Sequence, residues 1–124
     1  MAPELQTSWE GNTYSKEWVK TAITNKEQDL VLVAEEKAEI TGFILAEMWK
    51  KKKYSFLSDL FVRAEYRKKG VAVKLMKEYE KICRKERLRS VMLLTTVSNT
   101  RMQGFIEKIG YKKGNKFYIY EKKL

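Results

Sequence analysis

The sequence predicts an α/β (α+β) domain: a mixed, mostly antiparallel sheet with a central parallel strand pair and helices on both faces. Three observations predict it. Two apolar stretches, residues 30–34 and 38–49, flank Glu36-Lys37 and read as an antiparallel hairpin. A third strand over residues 54–62 is followed by an amphipathic helical stretch and then by a fourth strand over residues 90–97. Such a strand–helix–strand unit requires a parallel pair joined by a right-handed crossover. The length of 124 residues suits one domain with a single core, and no repeat, low-complexity linker or boundary divides it.

Taken in order, residues 1–14 are polar and without a clear period. Ser15 can cap a helix reaching about Thr24, with Trp18, Val19 and Ala22 on one face. Residues 29–35 contain Leu30-Val31-Leu32-Val33-Ala34, the pattern of a buried strand. Residues 38–49 are rich in β-branched and aromatic side chains, with Gly42 marking a bulge. Lys50-Lys51-Lys52-Lys53 is a basic turn before the third strand. Over residues 69–86, Ala72, Leu75, Met76, Tyr79 and Cys83 recur at helical steps. The fourth strand precedes a short helix over residues 99–108, with Met102, Phe105 and Ile109 inward and Gly110 closing it. Residues 111–123 are expected to hold one long bent strand or a hairpin around Gly114-Asn115.

Composition narrows the chemistry. Cys83 is the only cysteine and histidine is absent, so an intrachain disulfide, a cysteine zinc knuckle and any Ser-His-Asp or Cys-His nucleophile are excluded. No metal is expected. No apolar run is long enough to span a bilayer and the N-terminus lacks a signal-peptide pattern, so a cytoplasmic protein without a membrane partner is expected. The net charge of +10 favours anionic partners, although most of the lysines are dispersed as solvated surface charge would be. The run of residues 50–53 beside Trp49, Tyr54 and Phe56 raises a nucleic-acid surface as a competing class. A solvated turn is the preferred reading, because those aromatics alternate through a strand instead of interleaving with the cations.

The most informative segment is Leu60-Phe61-Val62-Arg63-Ala64-Glu65-Tyr66-Arg67-Lys68-Lys69-Gly70-Val71-Ala72. A strand ends, a basic loop follows, and a helix opens on small residues. The first amides of a helix lack intrahelical acceptors and its dipole adds positive potential. Small residues let a ligand approach the backbone, and Arg67, Lys68 and Lys69 add full charges, so the segment can cradle a pyrophosphate. The spacing Arg67-x-x-Gly70-x-Ala72 arises by chance in roughly one chain in twenty of this length, so its place between a strand and a long amphipathic helix is what gives it weight. The competing reading is that Gly70 and Ala72 merely allow close helix–sheet packing. No Walker loop is present, and one glycine stands where a dinucleotide fingerprint needs three.

Residues 59–75 resemble the acetyl-CoA-binding motif of the GNAT superfamily of N-acetyltransferases, whose signature is Gln or Arg, two residues, Gly, one residue, then Gly or Ala. The stretch Asn99-x-x-Met102-x-x-Phe105-x-x-x-Ile109-Gly110-Tyr111 resembles the helix that follows in the family. The resemblance covers residues 29–124 well, leaves residues 1–28 as an atypical N-terminal segment, and is nearest to the polyamine and amino-acid acetyltransferase branches. It implies a coenzyme arm lying between splayed third and fourth strands. The backbones of Leu60, Phe61 and Val62 would then take the pantetheine and thioester, the amides of Lys68, Lys69, Gly70, Val71, Ala72 and Val73 the pyrophosphate, and Asn99 and Met102 the other side of the arm. It further implies acetyl-CoA as cosubstrate and an amine on a small molecule or peptide as acceptor; where residues 1–28 depart from the family pattern, an exposed strand edge would favour pairing in a homodimer. The family's usual strand-end Glu and last-helix Tyr correspond to Ser58 and Ile106 here. Three alternatives stay open: a water chain from Ser58 ending on Asp59, Glu47 or a backbone carbonyl; replacement of the acid by Tyr118 or Tyr120; or coenzyme binding with little catalysis.

Overall fold

The computed structural model describes residues 29–124 and two short strands before them, β1 (Leu5–Gln6) and β2 (Thr13–Tyr14), which pair antiparallel. These two strands stand where the sequence offered no regular element. The helix expected over residues 15–24 lies outside the described residues. The main sheet has the order β3 (Leu30–Glu36), β4 (Glu39–Trp49), β5 (Tyr54–Val62), β6 (Ser90–Leu93). The first two pairings are antiparallel and β5–β6 is parallel, giving the mixed α/β fold expected. Helix α1 (Val71–Lys85) makes the crossover, and α2 (Thr100–Lys108) follows β6.

The β3–β4 hairpin turns on Lys37 and Ala38, both with positive φ (52° and 65°), the backbone of a tight two-residue turn that follows strand twist. The extra residue in this ladder is Thr41, because Ala34 faces Gly42 while Glu35 faces Ile40. The bulge therefore falls one residue before Gly42. Gly42 serves close approach instead: a Cβ there would stand 2.7 Å from the Phe61 carbonyl oxygen. The run of residues 50–53 is an exposed turn, and Trp49 and Tyr54 stack beside it with ring centroids 6.0 Å apart.

A second bulge decides the shape of the site. Leu57 faces Ala46 and Asp59 faces Leu45, so Ser58 is the extra residue of β5. Strand side chains alternate with a period of two. Without an inserted residue Leu57 and Leu60 would point to opposite faces. With it, both join Ile44, Ala46 and Val62 in the main core, where Leu75, Met76, Tyr79 and Cys83 of α1 and Ile106 of α2 meet them. Phe43, Leu45 and Phe61 are buried on the other face.

Helix α1 is shorter than its apolar period predicts because Gly70 at φ 83° and Arg87 at φ 62° are left-handed and stop it at both ends. In its buried face the Tyr79 hydroxyl lies 2.5 Å from Ser55 Oγ, which donates to the Glu47 carbonyl at 2.8 Å. Helix α2 begins where Asn99 Oδ1 accepts from the Met102 amide at 3.1 Å and ends at Gly110, φ 104°, with the Tyr111 amide donating to the Ile106 carbonyl at 3.1 Å. Two strand expectations need correction. The fourth strand stops at Leu93 instead of residue 97, and residues 111–124 form no strand. In the second case the backbone pairs with no strand among the described residues and lies exposed, where water can take its hydrogen bonds.

Candidate functional site

The loop between β5 and α1 is anchored before it reaches the helix. The Arg63 side chain is 8% exposed and spans Glu39 Oε2 at 2.9 Å and Glu65 Oε2 at 2.8 Å, tying the start of β4 to the loop. A 3-10 turn, Ala64–Tyr66, follows. Arg67 then reaches back, its Nε donating to the Val62 carbonyl at 3.1 Å. Tyr66 lies under two cations, with Lys69 Nζ 5.6 Å and Arg63 Cζ 5.9 Å from the ring centroid.

Past these anchors the backbone turns left-handed at Lys68 (φ 62°) and again at Gly70 (φ 83°). The first helical bond is from the Lys74 amide to the Gly70 carbonyl at 3.0 Å. Among the described residues no group accepts from the amides of Val71, Ala72 and Val73, and no side chain caps the helix. Their hydrogens and the helix dipole make this end an anion cradle. A Cβ built on Gly70 would meet nothing within 4 Å, so the space before the helix is open. This is the residue pattern the sequence singled out, and close helix–sheet packing does not account for Gly70.

Beside the cradle the sheet opens. The β5–β6 ladder ends at Leu57↔Leu93, whereas β5 continues to Val62. The bulge at Ser58 falls one step beyond the last pair. The departing chain is held elsewhere: Gln103 Nε2 of α2 donates to the carbonyls of Thr96 and Val97, both at 2.9 Å. Those two acceptors are thereby turned toward α2. Thr96 Oγ1 is buried with no hydrogen-bond partner among the described residues. Sequence reasoning missed Gln103; a long amide one turn after the Asn99 cap was the available signal.

Sequence reasoning also missed Arg101, in the first turn of α2. The Arg67 guanidinium has its pKa lowered, first by burial and then by the charge of Arg101. Two cations from separate elements thus act on one place, an arrangement that an anion between them stabilises. The residues present fit a phosphorylated ligand.

Ser58 and Asp59, the catalytic candidates, are half-buried at the bulge where the strands part, and Leu60, Phe61 and Val62 follow them along the opening. Lys68, Lys69 and Gly70 are exposed at the cradle. Asn99 and Met102 are half-buried at the head of α2, but the Asn99 side-chain oxygen is engaged in the helix cap. Ile106 is 7% exposed and packs in the core. Tyr118 and Tyr120, offered as replacement acids, are 88% and 90% exposed on the terminal segment and are not brought to the site. Among the described residues no helix is long and apolar enough to cross a membrane, and no cluster of three or more His, Cys, Asp or Glu is placed to hold a metal ion.

Known proteins share this fold. The aminoglycoside N-acetyltransferase AAC(6')-Iy in complex with CoA superposes with a TM-score of 0.71 at 20% identity, over 83% of this chain and 72% of that one. An integron cassette protein from the mobile metagenome of V. cholerae superposes with a TM-score of 0.74 at 20% identity, over 90% and 75%. The PaiA N-acetyltransferase of Thermoplasma acidophilum in complex with coenzyme A gives 0.67 at 24% identity, over 82% and 61%. No curated protein matches the sequence. The family model described as "Acetyltransferase (GNAT) family" matches residues 2–111. With that match over nearly the whole chain, the chain belongs to the acetyltransferase (GNAT) family.

Proposed function

We propose that this protein transfers an acetyl group from acetyl-CoA to a primary amine of a small molecule or peptide. The observation that carries the reading is the set of unclaimed amides at Val71, Ala72 and Val73, standing where the β5–β6 ladder comes apart. In this reading the amides from Lys68 to Val73 hold the diphosphate, with Arg67, Lys69 and Arg101 supplying charge. The backbone of Leu60, Phe61 and Val62 aligns the pantetheine arm as an added strand, and Asn99 and Met102 bound it from α2. The likeness to AAC(6')-Iy in complex with the bisubstrate analogue CoA-S-monomethyl-acetylneamine supports an amine-bearing acceptor. The lone buried thiol of Cys83 suits the reducing cytoplasm.

When bound, acetyl-CoA supplies an activated thioester whose acyl carbon accepts the amine nitrogen while the carbon–sulfur bond breaks. The protein's share is positional. An alkyl ammonium, with a pKa of about 10, must lose a proton first. Ser58 is too weak a base to take it alone, but its hydroxyl can pass it through water to the Asp59 carboxylate beside it. Ile106 holds the position of the usual acid and is buried, so in this reading the thiolate leaves without a side-chain proton donor from the described residues.

Two assays test this. Acetyl-CoA at a hundredfold excess over its Kd should stabilise the fold by about 2.7 kcal/mol, read as a rise in Tm. Thiol release should then appear with one of a panel of polyamines, amino acids, aminoglycosides or peptide N-termini. An unchanged Tm would sink the reading. The buried Ile106 favours one second reading, a coenzyme-binding module with little catalysis; a Tm rise with no thiol release across the panel would select it.

A further inference from the structure

The sequence shows the lysine run of residues 50–53 by itself, and alone it reads as a solvated turn. The fold brings a second basic loop against it. The Arg89 amide donates to the Lys53 carbonyl at 2.7 Å, Tyr54 pairs with Ser90, and Lys50 Nζ stands 3.4 Å from Glu86 Oε2. Residues 50–53 and 84–89 thus form one surface. Its ten residues are eight cations, one carboxylate, Glu86, and Leu88. Leu88 is buried and the other nine are exposed. Each loop turns on a cation in the left-handed region, Lys53 at φ 65° and Arg87 at φ 62°, where glycine would be relaxed.

Neither the coenzyme nor the helix accounts for this charge. Strand β5 runs from Tyr54 at the basic end to Val62 beside the cradle, about 25 Å, and α1 runs back over about 22 Å. The Debye length at physiological salt is about 8 Å, so a diphosphate on the cradle is screened from the basic surface. Arg84 and Lys85, in the last turn of α1, complement the helix dipole. The lysine run, Arg87 and Arg89 lie outside the helix.

An aromatic platform borders the cations. Trp49 is 44% exposed at the strand end, its ring 10° from parallel with that of Tyr54, and Lys52 Nζ stands 5.9 Å from its centroid. Cation and ring are therefore interleaved here, in a way that the alternation along the strand does not disclose. Bases stack on open rings while their phosphates meet nearby cations.

We infer that this end of the molecule binds an unpaired stretch of nucleic acid. A base stacks on Trp49 in place of the Lys52 ammonium, which passes to a phosphate, and the neighbouring phosphates lie across residues 50–53 and 84–89. The strand is unpaired because the base faces of a duplex are already stacked. An anionic membrane fits less well, since the ten residues expose no apolar side chain for insertion. An acidic protein fits less well, since a stacking platform matches a base and not a carboxylate. This inference is independent of coenzyme binding.

The test is fluorescence anisotropy of a labelled uridine decamer, and of a labelled duplex, with the full chain. The association constant for the decamer should fall with salt at a log–log slope of about −3, the mark of roughly four phosphate contacts. Trp49→Ala should weaken the decamer about fivefold or more and leave binding of inorganic polyphosphate, measured by calorimetry, unchanged. The double variant K51A/R87A should weaken both ligands and make the slope shallower by about 1.4. Both variants should keep the acetyl-CoA thermal shift of the parent. Saturating acetyl-CoA should leave the decamer bound, because the two sites lie at opposite ends. No decamer binding at about 50 mM salt, displacement by acetyl-CoA, equal or tighter binding of the duplex, or decamer affinity indifferent to both variants would each overturn the proposal. Capture on phosphatidylserine vesicles without decamer binding would overturn it in favour of a membrane.

Discussion

At Gly70 the backbone holds φ 83° with open space where a side chain would stand. A bulky residue there would fill the space open to a ligand, and an L side chain in the left-handed region costs about 1 kcal/mol or more. Gly70→Val should therefore lower the Tm of the free protein by several degrees, and acetyl-CoA should no longer raise it. Melting both forms with and without ligand separates the two effects; a full ligand shift in the variant would remove the cradle from the argument. A different consequence attaches to the hydroxyls and thiol packed on and against α1. Burial pushes up the pKa values of Tyr79 and Cys83, and burial followed by the hydrogen bond to Glu80 pushes up that of Tyr111. Folded, these groups stay protonated; unfolded, the thiol ionises near its ordinary 9.0 and the phenols near 10.0. Their contribution to stability is full below pH 9.0 and declines as pH rises through and beyond these values. Tyr79→Phe should make that alkaline decline shallower in urea titrations, while costing about 1 kcal/mol near neutrality through the lost bond to Ser55.

Among the elements, β5 carries the most information per residue. Because Ser58 is the extra residue, deleting it restores plain alternation: Leu57 still faces Ala46, Asp59 still faces Leu45, and Leu57 and Leu60 share a face with no bulge. The deletion should leave the fold cooperative, with a Tm near that of the parent, and should weaken acetyl-CoA binding at least tenfold by removing the bend that precedes the strand opening. Calorimetric melting and equilibrium dialysis check the two halves, and unaltered binding would show that the opening does not depend on the bulge. This element also marks the limit of what the sequence discloses. Strands β3, β4 and β5 and helix α1 were legible because their periods of two and 3.6 are local properties of composition. The motif at Gly70 was legible because helix-end chemistry is local too. The end of β6 was not. Leu94-Thr95-Thr96 keep full strand propensity, and what ends their pairing is a bulge in another strand together with the reach of Gln103 from α2. Arg101 escaped notice for the same reason, since its nearness to Arg67 exists only after α2 has docked. The Gly42 reading erred by one residue because a bulge belongs to a pair of strands, and the sequence shows one strand at a time.

For the molecule as a whole, the net charge of +10 becomes a kinetic property once the cradle is located. A polyanionic ligand approaching a basic protein is steered, and salt weakens that steering. Acetyl-CoA affinity should fall as ionic strength rises. Arg101→Ala should lower it further and flatten its salt dependence, with the Tm of the free protein little changed; titration calorimetry at three salt concentrations measures both. A salt dependence identical to wild type would place Arg101 outside the site. The grip itself is a different matter, because the hydrogens offered at Val71, Ala72 and Val73 come from the main chain. Any residue that keeps the turn supplies the same hydrogens, so letters along this stretch can be exchanged over long divergence while the proposed hold on a diphosphate is kept. Shape outlasts spelling in such a protein, which is why a scaffold can stay superposable on proteins with which it shares about a fifth of its residues.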